Sequence, residues 1–296
     1  MLIADAHCHF FSPGFFDALG RDAQVGDAAV ALPERLGWEA PGSDEALADR
    51  WVSELERHDV ARAMLIASAP GDESSVAVAA SRHPSRLTGA FMFNPVMPDA
   101  DARLDRAFGE HQLRMACLFP AMHKVRVDDP ATERVFALAA RHGRAVFVHC
   151  GALSIGVRKK LGLPSQFDLR LGDPLAVAAI AVRHPSVPVV IPHFGAGLFR
   201  EALMAAGAAP NILLDTSSSN SWIKLYPGLT LREAFARAVD VAGPTRLLFG
   251  TDSSFFPRGW QRAIFDEQLA IATDLGLDSA AQAAIFGGNF SRTFGP

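Results

Sequence analysis

Ala145-Val146-Phe147-Val148-His149, with Cys150-Gly151 behind it, is four apolar residues closed by an imidazole and a turn. A strand covered on both faces reads as such an unbroken apolar run. Arg141-His142-Gly143 stands just before it, with cations for the negative end of a helix and a glycine to stop it. Helix, stop, short buried strand, polar residue: this is the boundary of one βα unit.

The same unit recurs on both sides. Eight short apolar runs occur in order, at 2–7, 62–67, 87–93, 113–119, 145–149, 187–192, 212–215 and 246–250. Helical segments separate them, at 43–58, 74–83, 99–111, 130–142, 174–184, 197–206, 231–242 and 260–275. The segment at 43–58 opens on Ser43-Asp44-Glu45, a capping start, and carries Leu47, Trp51 and Leu55 at i, i+4 and i+8. Arg82-His83-Pro84 and Arg183-His184-Pro185 are further helix stops. Strands alternating with helices predict a parallel sheet, and eight units in 296 residues predict one (β/α)8 TIM barrel spanning 1–296 as a single domain. Three connections exceed the minimum: 10–42 after strand 1, 152–172 after strand 5 and 216–230 after strand 7. Each follows a strand's C-terminal end, where barrels carry their chemistry, so these inserts are expected to wall the site.

Bulk composition narrows the class. The hydrophobic fraction of 49% supports a large core and argues against disorder. Twenty-eight basic residues against 32 acidic ones give a formal charge of −4, which offers no concentrated basic surface for a nucleic acid. The three cysteines, Cys8, Cys117 and Cys150, are too few and too scattered for a disulfide framework. The start Met1-Leu2-Ile3-Ala4-Asp5 lacks a basic leader, and no apolar stretch reaches the ~18 residues of a membrane span. A cytoplasmic enzyme of small molecules, without membrane or nucleic-acid partner, is the expectation.

The polar residues at the strand ends carry the chemistry. In Asp5-Ala6-His7-Cys8-His9, side-chain alternation predicts that Asp5, His7 and His9 share a face and Cys8 opposes them. Two imidazoles at a strand end can reach one borderline-soft metal, or can simply hydrogen-bond loop carbonyls. His149 closes strand 5, His193 closes strand 6 and Asp252 follows strand 8, which favours the metal. His58, His83, His142 and His184 lie at the opposite ends of the units, where they read as helix terminators. His111 and His123 are open, and His123 could line the pocket just past strand 4.

Asp5-Ala6-His7-Cys8-His9, Val148-His149-Cys150-Gly151, Pro192-His193-Phe194-Gly195 and Gly250-Thr251-Asp252 together resemble the amidohydrolase superfamily, and within it the amidohydrolase-2 branch. The likeness runs from Asp5 to the closing Asn289-Phe290-Ser291-Arg292. It implies that His7, His9, His149 and Asp252 hold one divalent metal, zinc first and manganese as an alternative. It also implies that His193 contacts the activated water or the substrate. Binuclear members carry a carboxylated lysine at the end of strand 4, where this chain has Met115-Ala116-Cys117-Leu118-Phe119-Pro120, so a single metal is expected.

Such a site activates water, with Asp252 as ligand and general base and His193 orienting or polarising. Two enzyme classes remain open: a metal-dependent hydrolase of a small cyclic, aromatic or carboxylated substrate, and a nonoxidative decarboxylase. A non-catalytic metal-binding barrel is the third reading. Arg158, Lys159, Lys160, Lys224 and Arg258 are candidate carboxylate clamps or plain loop charges. Trp222, Tyr226, Phe255, Phe256 and Trp260 are candidate pocket aromatics or plain loop packing. A homodimer is the usual state of such barrels, though no interface is legible.

Overall fold

The computed structural model describes residues 1–217 and 219–295. Eight parallel strands pair in sequence order: β1 (Ala4–Phe10), β2 (Arg62–Ala67), β3 (Leu87–Phe93), β4 (Met115–Leu118), β5 (Ala145–Val148), β6 (Val189–Ile191), β7 (Ile212–Asp215) and β8 (Leu247–Leu248). The outer helices include α1 (Pro13–Ala23) and α2 (Ala28–Leu36), both inside the first insert, then α3 (Asp44–Arg57), α4 (Glu73–Arg82) and α5 (Ala100–Gly109). They continue with α6 (Pro120–His123), α7 (Pro130–His142), α8 (Gly156–Lys160), α9 (Pro174–Arg183) and α10 (Phe199–Ala208). The last are α11 (Ser219–Trp222), α12 (Leu231–Ala242), α13 (Arg262–Asp274), α14 (Ser279–Ala283) and α15 (Asn289–Phe294). This is a (β/α)8 barrel, as the alternation predicts. No described helix is long and apolar enough to cross a membrane.

Strand alternation divides the core into two shells. Met64 and Ile66 of β2 point inward with Met92, Met115, Cys117 and Phe147, while Ala63, Leu65 and Ala67 face the helices. Cys8 and Cys150 lie in the outer shell, away from the barrel axis. Phe290 and Phe294 of α15 plug the N-terminal mouth, where Arg62 donates to the Gly295 carbonyl at 2.7 Å and lies 5.2 Å from the Phe290 ring. Chemistry is thereby confined to the opposite mouth.

β1 departs from simple alternation. Asp5 pairs with Ala63 and Cys8 with Leu65, so two residues of β1, Ala6 and His7, stand opposite one of β2, Met64. This bulge places Asp5 on the outer face with Cys8 and sends His7 and His9 inward. The expectation that Asp5 shares the face of the two histidines is therefore corrected, because one inserted residue inverts the phase of everything before it. β8 is short, and the barrel closes through backbone bonds from Ala6 N to Phe249 O (2.8 Å), His9 N to Ser253 O (2.7 Å) and Asp252 N to His7 O (2.9 Å).

The helix-end histidines do more than terminate helices. His83 meets Asp49 at 2.6 Å, His142 meets Asp105 at 2.7 Å and His184 meets Glu133 at 2.6 Å, each on a preceding helix. They tie the outer ring together and take no part in the site.

The inserts after strands 1 and 5 share one apolar cap: Phe15, Phe16, Leu19 and Leu32 pack with Val157 and Ala69. Ser12 caps α1 and donates to Asp72 Oδ2 at 2.5 Å, and Ser75 donates to the same oxygen at 2.9 Å. Burial lifts the Asp72 carboxyl to about 6, against the opposing pull of the two hydroxyls. The folded protein then binds this proton more tightly than the unfolded chain, whose carboxyl titrates near 3.8. Stability from this group is present below the unfolded value and is lost as pH rises toward the folded one. Urea melts of wild type and Asp72→Asn at about pH 4 and about pH 7 measure this, and the variant should gain on wild type at the higher pH. A stability difference independent of pH would rule the linkage out.

Candidate metal centre

Four imidazoles converge at the open mouth. The His7 ring centroid lies 5.1 Å from His9 and 5.0 Å from His193, and His149 lies 5.3 Å from His193. Asp252 Oδ1 stands 3.0 Å from His9 Nε2 and 3.8 Å from His7 Nε2. His7, His9 and Asp252 offer ligand atoms that all lie within 4.8 Å of one another. His149 is outside this tightest group and stacks on Phe119 at 5.3 Å.

The partners of the rings dictate their tautomers. Asp215 Oδ2 lies 2.6 Å from His7 Nδ1, and an ionised carboxylate can only accept, so that nitrogen carries a proton. Ser68 Oγ lies 2.8 Å from His9 Nδ1, and its own proton goes to the Ile66 carbonyl at 2.9 Å, so it too accepts. His193 Nδ1 donates to the Ser217 carbonyl at 2.8 Å. In its neutral form each of the three rings therefore carries its lone pair at Nε2. His149 Nδ1 is buried with no hydrogen-bond partner among the described residues. A lone pair at His9 Nε2, 3.0 Å from the Asp252 carboxylate, needs a cation between the two, a proton or a metal, and the donor set of imidazoles and one carboxylate suits zinc or a similar divalent ion.

Electrostatics agrees with that use. Burial, then the neighbouring His193 and His7, holds His149 well below the ordinary imidazole range; burial and then His7 lower His193. Both are neutral at pH 7, as ligands must be. Burial pulls His7 down too, but the Asp215 carboxylate outweighs it and raises the group. Burial would raise Asp252, yet the hydrogen bond and charge of His9, with His7, carry it well below the carboxylate range. Asp215 is lowered in the same way by His7 against its own burial.

Backbone geometry at the mouth is unusual. His193 (φ 56°) and Asp252 (φ 59°) are both left-handed, a state uncommon outside glycine, asparagine and aspartate. Gly151 is required where it stands, since a Cβ would meet the Gly195 carbonyl oxygen at 2.3 Å. The family-like motifs at 149–151 and 192–195 thus lean directly on each other.

The centre opens on one side. His7, His149 and His193 are 1%, 5% and 8% exposed, whereas the side chains of His9 and Asp252 reach 20% and 29%. Rings lead outward from there: His9 to Phe11 at 5.9 Å, Phe11 to Trp38 at 5.9 Å, and Trp38 stacked on Phe255 at 4.0 Å. Lys160 lies over Trp38 at 5.5 Å and Arg258 over Phe255 at 4.5 Å. Arg258 also donates to the Asp252 carbonyl at 3.2 Å. Of the expected substrate-binding residues, Phe255 and Arg258 stand at this mouth. Arg158 is engaged by Asp22 at 2.5 Å and by the Pro164 carbonyl at 2.9 Å. Trp222 packs between Phe199 and Tyr226 in the outer shell, and Lys224 is exposed on the turn after it. Phe256 and Trp260 are buried, and the Tyr226 hydroxyl donates to the Gly197 carbonyl. His123 is part-buried at the end of α6 with neither ring nitrogen partnered among the described residues, and burial drops it to about 4.

The amidohydrolase family model (Amidohydro_2) matches residues 4–295. The chain belongs to the amidohydrolase family. No curated protein matches its sequence. Solved structures share the amidohydrolase fold at low identity. The 5-carboxyvanillate decarboxylase of Sphingomonas paucimobilis is 17% identical with a TM-score of 0.64, over 99% of this chain and 98% of that one. A probable 2-pyrone-4,6-dicarboxylic acid hydrolase of Acinetobacter baumannii is 15% identical with a TM-score of 0.62, over 100% of both chains. A zinc-bound amidohydrolase of Burkholderia multivorans is 16% identical with a TM-score of 0.64, over 99% of both.

Sequence reasoning passed over Asp215, Ser217 and Ser68 in this amidohydrolase. Asp215 carried a usable signal. It closes Ile212-Leu213-Leu214-Asp215 just as His149 closes strand 5. The two serines carry none, because a serine after a strand is ordinary turn chemistry.

Proposed function

We propose that this amidohydrolase is a metal-dependent hydrolase of small, planar, anionic molecules, with His7, His9, His149 and Asp252 holding one divalent ion, zinc before manganese. The carrying observation is the orientation of the rings: His7, His9 and His193 turn Nδ1 to Asp215, Ser68 and the Ser217 carbonyl, which leaves Nε2 free, and the Nε2 atoms of His9 and His7 lie 3.0 and 3.8 Å from Asp252 Oδ1. Lewis acidity toward water and a substrate carbonyl is what such an ion supplies when bound.

The chain's own groups do the rest. Asp252, ionised and at the opening, accepts the proton of the attacking water and returns it to the leaving atom. His193 accepts a hydrogen bond at Nε2 while its Nδ1 proton stays on Ser217. Arg258 and Lys160 attract the anionic group, and Phe11, Trp38 and Phe255 supply flat apolar walls that exclude water.

The carboxy-lyase reading is the second. Its support is the same mouth: Asp252 reaches the opening, where it can take a proton from water and hand it to the carbon from which CO2 departs. Product analysis over lactones, amides and aromatic acids separates the two, since only the second releases CO2. Dialysis against a chelator should abolish turnover, and Zn2+ or Mn2+ should restore it. Full activity in protein shown to be metal-free would refute the proposal, and a metal-loaded protein inert on the whole panel would point to a non-catalytic barrel.

A further inference from the structure

We propose that Asp215 is a positioning residue: it decides which nitrogen of His7 is free to face the centre. The inference rests on the metal-centre reading only for its consequence in affinity. Asp215 is 1% exposed at the end of β7. Its Oδ2 takes the His7 Nδ1 proton at 2.6 Å, and its Oδ1 accepts the Ser217 backbone N–H at 2.6 Å. Ser217 Oγ then lies 2.9 Å from Nδ1 of both His7 and His193, so one short segment braces two of the site's rings. Gly250 closes the far side. A Cβ there would stand 2.8 Å from Asp215 Oδ1, 2.9 Å from His7 Cβ and 3.0 Å from Ser217 Cβ. Both carboxylate oxygens are thereby engaged, Oδ2 by His7 and Oδ1 by Ser217.

That pinning makes an unusual prediction. In Asp215→Asn the Ser217 N–H needs an acceptor, so the amide oxygen occupies the Oδ1 position. The amide NH2 then faces His7 Nδ1 and donates to it. His7 is driven to the other tautomer, with a proton on Nε2 where the lone pair should be. Asp215→Ala imposes no tautomer, and Ser217 Oγ remains beside Nδ1 to accept its proton. A residue needed only for packing behaves the opposite way, because asparagine keeps the shape and alanine leaves a cavity.

Zn2+ affinity, measured by competition with a chromogenic chelator, reads this directly. Alanine should weaken binding by about 10-fold and asparagine by about 100-fold or more. Asparagine binding as tightly as wild type, or more tightly than alanine, overturns the proposal. Long-range 1H–15N NMR of the metal-free wild type at about pH 9, where imidazole is neutral, tests it without the metal and without the asparagine variant. The expected spectrum has the His7 proton on Nδ1; a proton on Nε2 overturns the assignment of Asp215. A wild type that shows this tautomer yet binds no divalent ion upholds Asp215 as the positioning group and overturns the metal reading instead.

Discussion

Asp252→Asn should lower kcat/KM by about 10²–10⁴-fold at saturating metal, the range for loss of a general base. Asparagine is the informative replacement because Asp252 sits at φ 59°, a conformation asparagine tolerates and alanine resists. The change keeps the volume and the backbone N–H that donates to His7 O, while it removes the charge and turns one acceptor oxygen into an NH2 donor. The charge is what His9 Nε2 meets at 3.0 Å. Metal affinity should fall in the same variant, so the assay must hold the ion in excess and confirm occupancy. Thermal unfolding should be little changed. A variant that keeps its metal and turns over within tenfold of wild type would remove Asp252 from the chemistry.

The strand ends made the fold and most of the site legible. Buried parallel strands need apolar runs, and runs at 62–67, 87–93 and 212–215 coincide with β2, β3 and β7. Helices are equally plain where caps and stops are strong: 130–142 and 231–242 coincide with α7 and α12. His7, His9, His193 and Asp252 were readable because each stands where such a run stops, and the structure gathers them. The misplaced residues failed for local reasons. Asp5 was assigned by alternation, which a single bulge defeats, and a bulge leaves no mark in a short apolar stretch. Arg158 and Trp222 lie in inserts, where chain position says which wall a residue is near but not whether its side chain turns inward. Arg158 turns to Asp22, and Trp222 turns to the outer shell. Asp215 hid inside a strand assignment that was itself right.

Asp5→Ala should reduce unfolding free energy by about 3–5 kcal/mol, the cost of leaving several buried donors without their acceptor. The corrected placement of Asp5 explains why. On the outer face its carboxylate accepts four hydrogen bonds: from His7 N at 2.9 Å, Thr251 N at 3.2 Å, Thr251 Oγ1 at 2.6 Å and Trp260 Nε1 at 2.8 Å. Thr251 can redirect its hydroxyl to Ser253 Oγ, 2.6 Å away, but the indole and two backbone donors lose their acceptor. Stranded buried donors cost about 1–3 kcal/mol each before any water enters. The loss also reaches function through geometry. Asp5 joins β1, which carries His7 and His9, to the loop after β8, which carries Asp252, across the seam where the strands meet through the isolated bridge of Cys8 with Ser253. Metal affinity should therefore drop although no ligand has changed. Urea melts and metal titration on one preparation check both halves, and a stability loss below roughly 1 kcal/mol would mean that water replaces the carboxylate and that the seam is held elsewhere.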